Sequence, residues 1–275
     1  MSTLEGKTVL VTGSTDGIGR QTALELARMG ARVLVHGRSR EKTARARDAL
    51  SKAVPGAKVD AVVGDLSDMS QVRSLAREVE SLTDRLHVLL HNAGVFVHER
   101  QLTPEGFETT FAVNHLAPFL LTHLLRPLLE RAAPSRVVVV SSIAHQRGQL
   151  DFDNLQAEHR FNGYGAYATS KLANVLFASA LAERWAPLRI TAYSLHPGVI
   201  STKLLKEGFG AEGDSVEEGA RTSVHVASAP GLEGLTGKYF VRGREATPSP
   251  AAQDKALRDR LWEVSEKLTG VSSAS

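Results

Sequence analysis

The run Thr12-Gly13-Ser14-Thr15-Asp16-Gly17-Ile18-Gly19 follows an apolar segment, Thr8-Val9-Leu10-Val11, and leads into Ile18 to Met29, where apolar residues recur at helical spacing. A strand that turns through glycines into a helix gathers backbone N–H groups and the positive helix end at one point, where a dinucleotide pyrophosphate binds. Gly13 permits the tight turn, Gly17 lets the chain approach a phosphate, and Gly19 removes a side chain where helix packs on strand. Ser14, Asp16 and Ile18 lie in the same loop and are cofactor-contact candidates with it, although Asp16 serves equally as a helix N-cap. On their own, three glycines also make a plain turn.

Working outward, short β-branched runs alternate with longer amphipathic stretches almost to the C-terminus. Thr8 to Val11, Val33 to Val35, Val59 to Val63, Val88 to Leu90, Val137 to Val140 and Ile190 to Leu195 read as strands buried on both faces, with a weaker seventh at Lys238 to Val241. Between them Ile18 to Met29, Arg40 to Ala53, Ser70 to Leu82, Pro104 to Glu130, Tyr167 to Trp185 and Val216 to Ala227 carry helical periodicity. The expected fold is α/β, a single doubly wound domain over residues 1–275 with a seven-stranded, mostly parallel sheet. The tail from Ser265 to Ser275 is expected to fray.

The 275 residues, 42% hydrophobic and 23% charged, suit an ordinary folded globule with a substantial core. A net charge of +3 implies no nucleic-acid partner, and the absence of cysteine removes disulfides, thiolate metal ligands and a cysteine nucleophile. No membrane-spanning segment or cleavable leader is read at the N-terminus, so a soluble cytoplasmic protein is expected. His36, His91, His145 and His196 show no metal-ligand spacing and are read as structural, with His145 and His196 near enough to the strand ends to touch a substrate.

Further motifs extend the glycine run. His91-Asn92-Ala93-Gly94 follows the fourth strand, Asn114 lies in Val113-Asn114-His115-Leu116, Ser141-Ser142 ends the fifth strand, Tyr167-Ala168-Thr169-Ser170-Lys171 opens a helix, and His196-Pro197-Gly198 ends the sixth strand. In this order, over roughly Leu4 to Tyr239, they resemble the short-chain dehydrogenase/reductase family. The resemblance implies an oxidoreductase that moves hydride between a nicotinamide and an alcohol/carbonyl pair. It assigns Tyr167 as acid/base, Lys171 as the cation beside it and holder of the ribose, Ser142 rather than Ser141 as the partner of the substrate oxygen, and Asn114 as the anchor of a water linking Lys171 to solvent. Four positions apart on a helix, Tyr167 and Lys171 share one face with a rise of about 6 Å, so an ammonium can favour the phenolate.

In a dinucleotide fold the end of the second strand faces the adenosine ribose, and arginine there pairs with a 2′-phosphate. Gly37 stands where NAD-specific members carry aspartate and Arg38 follows it, so NADP(H) is the expected cofactor. The same resemblance places Asp65 and Leu66 at the adenine, Asn92, Ala93 and Gly94 beside the ribose, and Pro197, Val199 and Thr202 near the carboxamide or phosphate. Asp65 also reads as a helix-start residue.

Tyr167 follows Ser142 by 25 positions, a longer gap than most of the family has. The residues 143–165, with Ser-Ser-x-Ala-His and Ser-Lys-Leu-Ala-Asn, resemble the retinol dehydrogenase and WW-domain oxidoreductase branch, which implies a lipophilic aldehyde, ketone or alcohol as the small-molecule substrate. Residues 199–214 correspond to a substrate lid. A homodimer through the fourth and fifth helices is open, since the insertion can cover that face. A non-catalytic NADP(H)-binding sensor on the same fold is the alternative.

Overall fold

Strands that bury both faces demand cover on both sides, and the chain supplies it alternately. In a computed structural model that describes residues 4–232 and 234–272, the strands are β1 (Thr8–Val11), β2 (Arg32–Gly37), β3 (Val59–Val63), β4 (Val88–His91), β5 (Ser135–Val140), β6 (Ile190–His196), β7 (Lys238–Val241) and β8 (Arg244–Ala246). The helices are α1 (Gly17–Arg28), α2 (Arg40–Ala53), α3 (Met69–Leu82), α4 (Thr109–Phe111), α5 (Ala117–Leu124), α6 (Arg126–Arg131), α7 (Gly163–Arg184), α8 (Lys203–Phe209), α9 (Val216–Ser228) and α10 (Lys255–Thr269).

The sheet runs β3-β2-β1-β4-β5-β6-β7-β8, parallel except for the last pair. Side-chain alternation splits the core in two. Val9, Val11, Val33, Val35 and Leu90 face α1, α2 and α9, whereas Leu10, Leu34, Leu89, Val137 and Val139 face α3, α5 and α7. The chain crosses from one side to the other between β1 and β4, and that reversal opens a crevice at the carboxyl ends of the strands.

Three expectations change. The sheet has eight strands, not seven, because Arg242 and Gly243 both take positive φ (50° and 71°) and fold β8 back on β7 as a two-residue hairpin. The single helix expected over 104–130 is broken into α4, a π turn at Ala112–Leu116, α5 and α6. Pro118 and Pro127 have no N–H to give the carbonyls four residues back, so a regular helix cannot pass through them. Ser265 to Thr269 do not fray: they finish α10, capped by Gly270 at φ 66°, with Ser265 and Thr269 buried. The expected tail residues 273–275 lie outside the described ones. Among the described residues no helix is long and apolar enough to cross a membrane.

Burial also sets the charge state of the interior histidines. His36 is pushed down to about 4, and His91 and His115 to about 3, because a buried imidazolium loses its hydration. Below pH 6.5 the unfolded chain takes up protons that these folded side chains refuse, so their stabilisation is full above that pH and is lost towards pH 3–4. Each costs up to about 1.4 kcal/mol per pH unit in that window. Urea unfolding midpoints should therefore drop steeply from pH 6.5 to 4.5; a midpoint flat over that range would contradict the buried neutral histidines.

Candidate active site

The glycine turn is held from both neighbouring strands. The Asn92 Nδ2 donates to the carbonyls of Thr12 (3.0 Å) and Gly13 (3.1 Å), while the Thr12 hydroxyl accepts the backbone N–H groups of Asn92 and Ala93. On the β2 side the Gly13 N–H donates to His36 Nδ1 (3.1 Å), which leaves the imidazole proton on Nε2, directed at the Gly64 carbonyl (3.0 Å). The Ser14 hydroxyl accepts the His36 N–H and donates to Val11. Asp16 caps α1 through the Gly17 N–H. A Cβ on Gly13 would lie 2.9 Å from the Ala93 backbone, and one on Gly19 2.3 Å from the Asn92 amide. The surface facing outward is thus bare backbone at a helix N-terminus, a cradle suited to a pyrophosphate.

Gly37 is closed to any side chain, since a Cβ there would meet the Thr15 methyl at 2.4 Å and the Thr43 hydroxyl at 2.6 Å. Arg38 next to it is exposed and has no ionic partner among the described residues. Asp65 spends one oxygen on the Ser67 N–H and hydroxyl, and the Leu66 side chain lies in the core, so only the backbone of Leu66 can face an adenine.

At the other end of the crevice the end of β5, the β4 extension, the π turn Ala112–Leu116 and α7 bring Ser142, Gly94, Asn114, Tyr167 and Lys171 together. Lys171 is buried, donates to the Val140 carbonyl (3.2 Å), and would touch a Cβ on Gly94 at 3.2 Å. Its Nζ lies 5.5 Å from the centre of the Tyr167 ring. The Ser142 hydroxyl accepts the Ala144 N–H (3.2 Å) and lies near enough to the Tyr167 phenol to favour its ionised form, whereas Ser141 is turned away and donates to the Lys171 carbonyl (2.7 Å). Asn114 braces the β4 extension: its Oδ1 accepts the Val95 N–H, and its Nδ2 donates to the Val95 carbonyl and the Ser170 hydroxyl. Both amide hydrogens of Asn114 are thus engaged, and its Oδ1 keeps one lone pair.

The electrostatics also differ from expectation. Burial pushes Tyr167 up to about 12, opposed by the bond from Ser142, and pushes Lys171 down to about 8. Burial dominates because the phenol lies under Phe96 and Phe209, whose ring centres are 5.8 and 5.6 Å away.

Phe96 lies on the chain beyond β4, and Phe209 on the segment 199–214. Residues 199–214 are closed at their base by the backbone bonds of Val199, Ser201 and Asp214, and α8 between them seats Phe209 on Phe96 (4.7 Å) and near Tyr164 (6.2 Å). Thr202 caps α8, and a Cβ on Gly17 would meet its methyl at 3.6 Å. Val199 stays 49% exposed at the mouth. The insertion packs Leu150, Phe152 and Leu155 against the core, and Arg260 lies over Phe152. It also borders an open, mixed cavity of about 260 Å³ lined by Glu108, Phe111, Arg147, Leu155, Arg160 and Thr169, and by none of Ser142, Tyr167 or Lys171.

His145 is wholly buried with both ring nitrogens bonded, so it does not reach a substrate, and His196 is 8% exposed. Sequence reading missed Thr15, Phe96, Phe209 and Asn174. Asn174 lies one turn beyond Lys171, shares the Val140 carbonyl with it (3.2 Å) and keeps a buried Oδ1 without a partner. Its signal was the Ser170-Lys171-Leu172-Ala173-Asn174 run.

A phosphate cradle and a phenol–lysine pair across one crevice define a dinucleotide-dependent oxidoreductase. Residues 7–212 match the family model for short chain dehydrogenases. Curated relatives include bovine retinol dehydrogenase 12, 42% identical over 98% of this chain and 88% of that one, and bovine dehydrogenase/reductase SDR family member 13, 42% identical over 98% and 75%. Among solved structures, an uncharacterised protein of Mycobacterium paratuberculosis aligns at TM-score 0.83 with 32% identity, covering 99% of this chain and 96% of that one. A short chain dehydrogenase of Escherichia coli complexed with NADPH aligns at 0.73 with 26% identity, covering 88% and 99%. The chain belongs to the short-chain dehydrogenase/reductase family, in its retinol dehydrogenase-like branch.

The cradle makes a direct demand on Gly19. Gly19→Ala should displace the Asn92 amide, lower the unfolding temperature and weaken dinucleotide binding at least tenfold, whereas Gly231→Ala, with open space around it, should change neither. Thermal unfolding with and without cofactor checks both; tight binding by Gly19→Ala would refute the cradle.

Proposed function

We propose that this chain is an NADP(H)-dependent alcohol/carbonyl oxidoreductase for a lipophilic aldehyde or ketone and its alcohol, with Tyr167 as its acid/base. The observation that carries the reading is the single cluster of Ser142, Tyr167 and Lys171 at the crevice, roofed by Phe96, Tyr164 and Phe209.

Bare backbone at Gly13, Gly17 and Gly19 would hold the pyrophosphate, Asp65, Leu66 and Asn92 to Gly94 would line the adenosine and ribose, and Pro197, Val199 and Thr202 would close over the carboxamide. When bound, the nicotinamide supplies or accepts hydride. Arg38 is the free cation for a 2′-phosphate, and Thr15 leaves no room for the acid that would hold the ribose hydroxyls. The NADPH complex of the Escherichia coli structure supports the same preference.

A phenol near 12 is neutral at physiological pH and so holds the proton that a reduced carbonyl oxygen needs. Ser142 fixes the angle of that oxygen by hydrogen bonding. Lys171 is charged below about 8 and offsets the phenolate left behind. A water beyond Lys171 falls to the carbonyl of Asn114, whose partner in a regular helix would be residue 118, a proline without an N–H. Pairing of two copies through α5 and α7 would have to displace α10, whose Trp262 packs on Phe119 and Phe177.

On a panel of aromatic and medium-chain aldehydes and ketones, Tyr167→Phe should lower NADPH oxidation by about 100-fold or more while cofactor binding persists. Tight NADPH binding by the unaltered protein without turnover would instead favour a sensor. Arg38→Ala should raise KM for NADPH about tenfold, a loss near 1.4 kcal/mol, and leave NADH almost unchanged; equal effects on both would remove the 2′-phosphate role. The kcat/KM for NADPH should be flat near pH 7 and fall above about 8 as Lys171 loses its proton. A rise through pH 9 would contradict that assignment.

A further inference from the structure

We propose that His145 is a positioning residue for Ser142, clamping the end of β5 to the segment that follows β8. The inference rests on the reading of Ser142 and Tyr167 given above. Directly after Ser142 the chain enters a 3-10 turn, Ile143–Arg147, which carries the His145 ring back under the serine. The Ser142 carbonyl then accepts twice from the same residue, from the His145 backbone N–H at 3.1 Å and from Nδ1 at 2.8 Å. On the far side of the ring, Nε2 lies 3.1 Å from the backbone nitrogen of Ser249, just before the short 3-10 turn Pro250–Gln253.

These partners leave the ring one arrangement. A backbone N–H can only donate, so Nε2 must be the acceptor, and the single proton of a neutral imidazole must then lie on Nδ1, pointing at Ser142. A second proton would oppose the Ser249 N–H and add charge beside His196, at the end of β6. Tyr239 of β7 closes the remaining side with its ring centre 5.0 Å away. The ring is 0% exposed, so water cannot replace either bond. His145 thereby fixes the backbone of the residue whose hydroxyl meets Tyr167, and it does so from elements, β7, β8 and the turn after them, that carry none of the reacting groups.

Displacing a group at the reacting centre by about 1 Å can cost about 100-fold in rate. His145→Ala removes the second donor to Ser142 and strands the Ser249 N–H. His145→Asn keeps a donor near the place of Nδ1. In NADPH-dependent reduction of the best carbonyl of the panel, with Tyr167→Phe alongside, His145→Ala should lower kcat at least tenfold with NADPH affinity within twofold, and His145→Asn should recover most of the loss. If His145→Ala does not fold, Ser249→Pro is the second test. Ser249 has φ −59°, which proline accepts, and the exchange removes the hydrogen facing Nε2, so kcat should fall several-fold. An inactive Tyr167→Phe together with a His145→Ala kcat within twofold of the unaltered enzyme overturns the inference alone. Equal losses in the alanine and asparagine variants, a parallel loss of NADPH affinity, or an unchanged kcat in Ser249→Pro also overturn it. An active Tyr167→Phe would bring down the reading of the relay instead.

Discussion

The site depends first on one side-chain amide. β1 and β4 are adjacent in the sheet but their following connections leave in opposite directions, so the loops beyond them would drift apart without a tie. Asn92 supplies it by donating to two successive carbonyls of the glycine turn, and Thr12 returns two bonds to the chain beyond β4. Each of these groups is needed to satisfy the others, because the crossing is too close to admit a Cβ at Gly13 or Gly19. From there the chain runs through Gly94, against Lys171, to Phe96, against Tyr167. The phosphate end and the phenol end of the crevice are therefore parts of one short, bonded path.

Burial then decides the protonation of the pair at the far end. An exposed lysine one helical turn from a tyrosine would draw the phenol towards ionisation, but here both groups are dry. Desolvation penalises phenolate and ammonium alike and drives the two pKa values apart, the phenol from 10.0 up to about 12 and the ammonium from 10.5 down to about 8. The result is a neutral proton donor beside a cation that can lose its charge within two pH units of neutrality. Under the function proposed above, such a pair favours carbonyl reduction near pH 7, since alcohol oxidation would need the phenol to give up its proton against the same burial.

What could be read from the sequence follows from how local each cause is. Strand and helix order, the glycine turn and the spacing of Tyr167 and Lys171 are carried by neighbouring residues, and the second helix was expected over Arg40–Ala53, as found. β8 escaped because its hairpin uses Arg242 at positive φ, where Asn or Asp would have marked a turn. The break at the π turn was written in Pro118 and Pro127, yet apolar periodicity masked it. The choice of Ser142 over Ser141 came from family resemblance, and only the bond of Ser141 to the Lys171 carbonyl explains it physically. Thr15 against Gly37, Phe209 against Tyr167 and His145 against Ser249 join residues distant in sequence or on different elements, where no periodicity points.

The segment 199–214 spans the two ends of the crevice a second time. A seven-residue helix such as α8 is about 10 Å long, and this one begins at Thr202, beside Gly17, and ends at Phe209, on Tyr167. None of its residues is fully buried, and it is held by Leu204 on the Tyr167 cluster, by the Glu207 carbonyl to His98, and by the bonded base of the loop. Contacts made at the phosphate end fix the helix start, and the helix carries that constraint to the ring that keeps water from the phenol. One short helix thus reaches from the glycine turn to the ring beside the phenol.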